Sequence, residues 1–173
     1  MAKIIVGVMG PGEQATPQQV ETAYALGQRI AQAGWVLLTG GRKVGVMDAA
    51  SRGAKAAGGL TIGILPSRDG ADMSSAVDIP VLTGLGDSRN GINVLSSQVV
   101  VACGLGPGTA AEIALAIKAQ KPLILLGLEP QALAFWQSLS PMTLGTAQTV
   151  AEAFDQIGPH LPGQSSLPSE DLR

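Results

Sequence analysis

Several residue types are scarce in this sequence, and each scarcity excludes a class of protein. Aromatic residues make up only 3% of the 173 residues, and 11 Lys and Arg stand against 13 Asp and Glu. The net charge of -2 argues against an extended interface with a phosphate backbone, and so few aromatics leave no stacking platform for single-stranded nucleic acid. We therefore expect no nucleic acid partner.

Cysteine and long apolar runs are also scarce. The single cysteine, Cys103, excludes an intramolecular disulfide framework and a multi-cysteine metal site, and it favours the reducing cytoplasm. The apolar run at residues 4–9 breaks at Gly10, which is too short for the core of a signal peptide. No stretch reaches the roughly 18 apolar residues of a membrane span. The expected location is cytoplasmic, with no membrane association and no metal site.

Apolar residues are abundant, at 46% of the chain, and they fall into short runs that alternate with amphipathic segments. This alternation is typical of βαβ units, and runs that are apolar throughout indicate strands covered on both faces. We predict a Rossmann-like α/β fold, a three-layer sandwich with a mainly parallel sheet. The predicted strands are residues 4–9, 35–38, 60–65, 79–82, 98–103 and 122–126.

The helix signals lie between these strands. Thr16 and Gln19 form a predicted capping box, as do Thr149 and Glu152. The predicted helices are residues 16–33, 46–57, 88–97, 109–120, 130–138 and 149–157. From Pro159 the composition changes to Pro, Ser, Gly and acidic residues. We therefore predict a single domain over residues 1–158 and a mobile C-terminal tail over residues 159–173.

Three glycine-rich loops each follow a predicted strand and precede a helix. In a parallel sheet such loops share the carboxyl edge, where helix N-termini direct unpaired N–H groups and positive dipole ends at a ligand. The sequence therefore predicts a site for a small anionic ligand such as a phosphate. The loops are Gly10-Pro11-Gly12, Thr39-Gly40-Gly41 with its continuation to Gly45, and Gly104 to Thr109, which includes Gly106, Pro107 and Gly108.

Common nucleotide and coenzyme sites do not fit these loops. The second strand ends in Leu38-Thr39-Gly40 and lacks the acidic residue that holds the ribose of a nicotinamide cofactor. No glycine is followed by Lys and then Ser or Thr, as a Walker A loop requires. None of the lysines has the context of a pyridoxal phosphate site. We expect neither NAD nor pyridoxal phosphate.

The third loop leaves two interpretations open for Glu112. The sequence Thr109-Ala110-Ala111-Glu112 is itself a possible capping box, which needs no ligand. A functional Glu112 would instead face a sugar hydroxyl, a water molecule or a nearby arginine, because a carboxylate repels phosphate. Arg89 is the expected partner.

Several of these motifs occur together at a characteristic spacing. Thr39-Gly40-Gly41, then Gly45-Val46-Met47, Arg89 and Gly106-x-Gly108-Thr109-x-x-Glu112 resemble the LOG-like (SLOG) Rossmann superfamily over residues 3–158. That superfamily includes cytokinin-activating phosphoribohydrolases, in which an Arg-Lys pair precedes the threonine by twenty residues. Here Arg89 has that spacing, but Asn90 replaces the lysine and the leading Pro-Gly-Gly is absent.

These departures, together with Gly10-Pro11-Gly12-Glu13, are more similar to the branch that contains the molybdenum cofactor carrier protein. That branch implies binding, protection and carriage of molybdenum cofactor, or a related oxyanion, through its phosphomonoester. The resemblance implies a homo-oligomer, either a dimer or a tetramer. The predicted ligand-binding residues are Gly10, Gly12, Thr39, Gly40, Gly41, Ser88, Arg89, Asn90, Gly106, Pro107, Gly108, Thr109 and Glu112.

The alternative is a cytokinin-type nucleoside 5′-monophosphate phosphoribohydrolase, an N-glycosidic enzyme, with Arg89 and Glu112 as catalytic residues. In that case Arg89 would orient the phosphoribosyl group and Glu112 would stabilise an oxocarbenium ion or activate water.

Outside these motifs, Cys103 is predicted to be a small core residue. Arg42 and Lys43, in the second loop, could either contact the anion or remain solvated.

Overall fold

Seven strands form one sheet, and every strand pair within it is parallel in the described part of the chain. The computed structural model describes residues 2–161. The strand order is β4-β3-β2-β1-β5-β6-β7. The strands are β1 (Ile5–Met9), β2 (Val36–Thr39), β3 (Thr61–Leu65), β4 (Ile79–Leu82), β5 (Val99–Cys103), β6 (Leu123–Leu126) and β7 (Gly145–Ala147).

Helices cover both faces of the sheet, which confirms the predicted Rossmann-like three-layer architecture. The helices are α1 (Pro17–Gln32), α2 (Gly45–Ala56), α3 (Asn90–Leu95), α4 (Pro107–Lys118), α5 (Pro130–Leu139) and α6 (Val150–Ile157). One core cluster joins α1, α2 and α6 to one face of the sheet, and another joins α3, α4 and α5 to the opposite face.

Strand β5 shows why the predicted strands are apolar throughout. All five of its residues are buried. Val99, Val101 and Cys103 pack towards α1 and α2, whereas Val100 and Ala102 pack towards α3 and α4. Cys103 is 1% exposed, and burial raises the pKa of its thiol to about 12. Cys103 is thus a core residue, as predicted.

Two local features of the structure differ from the sequence prediction: a strand that was not predicted and a helix that is broken. Strand β7 has only three residues, Gly145-Thr146-Ala147, and carries no apolar run by which it could have been recognised. The helix predicted at 88–97 is instead a 3-10 turn (Gly86–Arg89) followed by the short α3.

The two predicted capping boxes have different outcomes. The first is complete, because Thr16 Oγ1 accepts from the Gln19 amide (3.2 Å) while Gln19 Oε1 accepts from the Thr16 amide (3.0 Å). In the second, Thr149 Oγ1 accepts from the Glu152 amide (3.2 Å). The Glu152 carboxylate accepts from the amide of Gln148, one residue earlier (2.8 Å), so the reciprocal bond of a capping box is missing.

Helices α1 and α2 pack at backbone contact, and glycine makes this possible. A Cβ on Gly27 would lie 2.1 Å from the carbonyl oxygen of Ala50, and a Cβ on Gly53 would lie 2.0 Å from that of Tyr24. The close packing positions α2, and therefore also the loop between β2 and α2.

The end of the described chain continues the domain. Gly158–His160 forms a 3-10 turn, and Leu161 is 4% exposed and belongs to the core cluster on the α1 face. Residues 162–173, the remainder of the predicted tail, lie outside the described residues. Within residues 2–161 no helix is long and apolar enough to cross a membrane.

The strand order reverses direction next to β1. The chain adds β2, β3 and β4 on one side of β1 and then returns to place β5 on the other side. In an open parallel sheet, the loops diverge at such a switch point and leave a crevice outside the carboxyl ends of the two central strands. The loops after β1 and β5 therefore border the expected ligand site.

Candidate anion-binding site

A cavity of about 350 Å³ lies at this switch point. It is bounded by the loop after β1, the start of α4, the 3-10 turn before α3, and side chains from the loop and helix after β2. The lining residues are Gly10, Pro11, Gly12, Glu13, Gln14, Arg42, Met47, Asp87, Arg89, Asn90, Gly106, Pro107, Gly108, Thr109 and Glu112. Most of the predicted ligand-binding residues are therefore brought together.

The N-terminus of α4 presents donors to the cavity. Pro107 occupies the first helical position, and the first helical bond runs from the Ala110 amide to Gly106 O (2.8 Å). The amides of Gly108 and Thr109 precede that bond, so they remain available to a ligand, at the positive end of the helix dipole. The Thr109 hydroxyl is buried and has no hydrogen-bond partner within residues 2–161. This donor set suits an anion.

The capping-box interpretation of Thr109 and Glu112 is wrong. Gly106 is the N-cap of α4, so Thr109 lies inside the helix, and no side chain caps this end. The Glu112 carboxylate does not turn back to the start of the helix but accepts from Asn93 Nδ2 at 2.7 Å. Asn93 is fully buried and follows Arg89 by four residues, the spacing of one helical turn. This four-residue spacing from Arg89 was the signal in the sequence that could have identified Asn93 as a residue of the site.

Arg89 is the buried cation of the site. Its side chain is 8% exposed, and its Nη1 donates to Asn90 Oδ1 at 2.6 Å and lies 3.8 Å from Glu112 Oε1. Its Nε is buried without a partner among the described residues. The expected pairing of Arg89 with Glu112 is thus present, but at a longer distance than a direct charge-assisted hydrogen bond. A lysine at position 90 could not accept the bond that Asn90 accepts.

Burial changes the protonation of this pair. Removal from water raises the pKa of Glu112 to about 7, against the opposing effects of the Asn93 hydrogen bond and the Arg89 charge. Burial likewise lowers the pKa of Arg89, which the charge of Glu112 partly offsets. Below about pH 7 Glu112 is therefore mostly neutral, and Arg89 retains a buried charge without an ionised partner at hydrogen-bond distance.

The second glycine loop lies behind the cavity. A Cβ on Gly40 would lie 2.7 Å from Arg89 Nη2, so glycine at this position makes room for the guanidinium. Thr39 is fully buried, and its Oγ1 accepts from the amide of Gly41, which has a φ of +76°. Thr39, Gly40 and Gly41 are thus not part of the lining, and exposed Ser88 is not either.

The N-terminus of α2 has a backbone amide that is not available to a ligand, although the sequence predicts unpaired N–H groups there. The amide of Val46 in its first turn donates to the carbonyl oxygen of Pro11 at 3.0 Å. This bond attaches the loop after β1 to the start of α2. The second loop therefore shapes the site, whereas the α4 N-terminus presents the Gly108 and Thr109 amides to it.

Arg42 lies at the rim of the cavity, whereas the neighbouring Lys43 is exposed and outside the lining. Arg42 Nε donates to Asp72 Oδ2 at 2.6 Å, and its Nη2 donates to Glu13 Oε1 at 2.7 Å. The sequence could not separate the two cations, because both occupy the same loop. Backbone pairing of Arg42 with Met73 decides which of them is held at the cavity.

The fold and this site define a Rossmann-like α/β protein with a ligand cavity at the switch point of a parallel sheet. The chain belongs to the SLOG cluster4 family, whose family model matches residues 3–154. The predicted relationship to the SLOG superfamily is thereby confirmed.

Solved structures of two related proteins are similar over nearly the whole chain. One is the molybdenum cofactor binding protein from the phototrophic bacterium Rippkaea orientalis, with 57% identity and a TM-score of 0.89 over 91% of this chain and 96% of that chain. The other is the molybdenum cofactor carrier protein from Chlamydomonas reinhardtii, with 52% identity and a TM-score of 0.87 over 92% and 98%. A cytokinin riboside 5′-monophosphate phosphoribohydrolase from Mycobacterium marinum is 46% identical over only 50 residues, which are 29% of this chain and 27% of that protein.

Proposed function

We propose that this protein binds and carries molybdenum cofactor, with the cofactor's phosphomonoester in the cavity between β1 and β5. The observation that carries this proposal is the buried charge of Arg89, whose nearest carboxylate lies 3.8 Å away and whose Nε lacks a partner within residues 2–161. A buried, incompletely compensated cation is costly in the free protein, and an anionic ligand compensates it.

The other residues of the cavity fit the same group. The Gly108 and Thr109 amides, the Thr109 hydroxyl and the guanidinium of Arg89 would share the three non-bridging oxygens of the phosphate. Asn90 positions the guanidinium from one side. The similarity to two molybdenum cofactor proteins over more than nine-tenths of the chain supports the choice of this cofactor over other phosphomonoesters.

The proposed carrier is a cytoplasmic homo-oligomer, a dimer or a tetramer. Apolar side chains are exposed along β4 and the segment that follows it: Ile79, Val81, Leu82, Leu85 and Leu95. Pro80 lacks an N–H group, which disfavours edge-to-edge strand pairing, so the expected contact is face to face. Light scattering of the wild type and of Leu95→Glu tests this, and a monomeric wild type contradicts it.

A phosphoribohydrolase activity is the second candidate, because one observation favours it. Glu112 is a buried carboxyl whose pKa of about 7 suits a general acid or base, and it lies beside Arg89 in the cavity. In that role Arg89 would orient the phosphoribosyl group. This candidate requires base release from nucleoside 5′-monophosphates, whereas carriage requires only binding.

To test carriage, the protein is purified from cells that make molybdenum cofactor, and the retained pterin is measured by its fluorescence after oxidation. The wild type is expected to retain the cofactor and to pass it to an apo-molybdoenzyme, Arg89→Gln to lose it, and Lys43→Gln to retain it as the matched control. A wild type without retained pterin overturns the proposal. Base release from N6-prenylated adenosine 5′-monophosphate that Glu112→Gln abolishes would establish the hydrolase instead.

A further inference from the structure

Arg42 is the second arginine of the cavity, and the proposed phosphate site does not use it. Its Nε and Nη2 are bonded to the carboxylates of Asp72 (2.6 Å) and Glu13 (2.7 Å). Two bonds on one planar guanidinium leave it little rotational freedom. The Asp72 segment is itself fixed, because the Lys43 amide donates to Asp72 O at 2.7 Å.

The remaining nitrogen of Arg42, Nη1, lies beside Gly12. A Cβ on Gly12 would be 4.0 Å from this nitrogen, an ordinary van der Waals distance. Within residues 2–161, Nη1 donates to no protein acceptor. The Arg42 side chain is 33% exposed and that of Arg89 is 8% exposed, which places one arginine at the rim of the cavity and the other deep within it.

The two guanidinium groups therefore line one cavity at different depths, and the Arg42 group is already paired with the Asp72 and Glu13 carboxylates. The charge of Arg42 contributes to the lowered pKa of Arg89, which indicates that the two guanidinium groups act on one another. A ligand with a single anionic group at Arg89 would leave the Arg42 nitrogen without a protein or ligand acceptor. A ligand with anionic groups at both ends would give both arginines an acceptor.

We infer that Arg42 is a specificity-determining residue that selects ligands carrying a second anionic group besides the phosphomonoester held near Arg89. This inference rests on the proposed function, because it assigns the phosphomonoester to the inner end of the same cavity. Asp72 is the positioning residue that orients Arg42. Glu13, whose side chain is 68% exposed, accepts from Nη2 and leaves Nη1 unbonded.

The experiment compares propyl phosphate, which has one anionic group, with alkane bisphosphates of increasing chain length, by calorimetric titration. Wild type is expected to bind the bisphosphate of matching length about tenfold more tightly than propyl phosphate, as one charge-assisted contact provides. Arg42→Gln should reduce this preference to about twofold, the statistical factor for two identical ends. Asp72→Asn should reduce the preference partly.

Matched variants distinguish specificity from folding and from general electrostatics. Lys43→Gln removes a cation of the same loop that does not line the cavity, so it should keep the full preference. Arg42→Lys keeps the charge but removes the guanidinium fork. Its preference for the bisphosphate is measured if Arg42→Gln fails to fold. The inference is overturned if wild type shows no preference for any bisphosphate, if Arg42→Gln folds and keeps the preference, or if Lys43→Gln loses it equally.

This test is separate from the test of cofactor carriage. An Arg42-dependent preference in a protein that retains no pterin would overturn carriage and leave the inference standing. Retained pterin without any bisphosphate preference would overturn the inference and leave carriage standing.

Discussion

The Glu112 carboxylate lies 3.8 Å from the Arg89 guanidinium, yet the donor that it bonds is the Asn93 side-chain amide at 2.7 Å. The neutral amide of Asn93 thus lies closer to the carboxylate oxygen than the charged guanidinium does. Burial raises the pKa of this carboxyl to about 7 although the Asn93 bond opposes the rise, so below pH 7 the carboxyl is mostly neutral and the Arg89 charge is incompletely compensated.

The protonation of Glu112 makes stability depend on pH. Its pKa is about 7 in the folded protein against 4.5 in the unfolded chain, so the folded state binds the proton more tightly. This contribution is fully present below pH 4.5 and is lost as the pH rises to about 7, by about 3 kcal/mol. The measurement is the free energy of unfolding in urea across this pH range.

Glu112→Gln is the control for this dependence, because it keeps an acceptor for Asn93 and cannot ionise. The difference in unfolding free energy between wild type and variant isolates Glu112 from the other titrating groups. We expect the variant to gain stability relative to wild type from pH 4.5 to about 7 and to keep that advantage above it. Parallel curves for the two proteins would show that burial does not raise the pKa of this carboxyl.

Thr109 separates ligand binding from stability. Its hydroxyl is buried without a partner in the described chain, so Thr109→Val should leave the free protein equally stable, or more stable by about 1 kcal/mol. The same change should weaken cofactor binding by about tenfold, because a ligand loses one donor. Thermal unfolding with and without ligand measures both effects. Thr109→Ser restores the hydroxyl and should restore binding, whereas a large loss of stability in Thr109→Val would mean that the hydroxyl serves the fold.

Gly40 holds space for the Arg89 guanidinium. In Gly40→Ala the new Cβ would lie 2.7 Å from Arg89 Nη2, so the guanidinium must move, and we expect cofactor retention to fall by about tenfold or more. Gly91→Ala is the matched control, because a Cβ at that helical position meets no atom within 4 Å. The prediction fails if Gly40→Ala retains as much pterin as Gly91→Ala does.

The contact between α1 and α2 should tolerate no side chain at Gly27. Alanine favours a helix over glycine by about 1 kcal/mol, but a Cβ here would lie 2.1 Å from the Ala50 carbonyl oxygen. We expect Gly27→Ala to destabilise the protein by about 2 kcal/mol or more, measured by urea unfolding. A stabilised variant would show that the two helices can separate without loss.

Cofactor retention in Gly27→Ala tests how α2 supports the site. Because the Val46 amide of α2 bonds Pro11 O in the loop after β1, a displaced α2 should also weaken binding.

Much of the fold could be predicted from the sequence because buried parallel strands and capped helices have local signatures. The apolar run at Val99–Cys103 and the pairing of Thr16 with Gln19 each depend on residues adjacent in the chain. Strand β7 was missed because three residues carry too little pattern, and its place is decided by pairing with β6.

The candidate site was predicted in part for the same reason. Glycine loops and the Arg89-to-Thr109 spacing are properties of the chain, and they locate the candidate site at one edge of the sheet. The amide of Asn93 on Glu112 and the carboxylates of Glu13 and Asp72 on Arg42 are contacts between distant segments. No local pattern encodes such contacts.

The sequence by itself determined the elements, their layering and the chemical character of the loops, because hydrophobic periodicity and backbone preferences act over a few residues. The tertiary structure decided that β5 lies beside β1, which places the α4 N-terminus opposite Gly10–Gly12. It also decided that Thr39 and Gly41 are buried behind the cavity and that Arg89 and Glu112 are buried together within it. Burial and charge proximity, which set the pKa of Glu112 and leave the Arg89 charge incompletely compensated, arise only when distant segments of the chain pack.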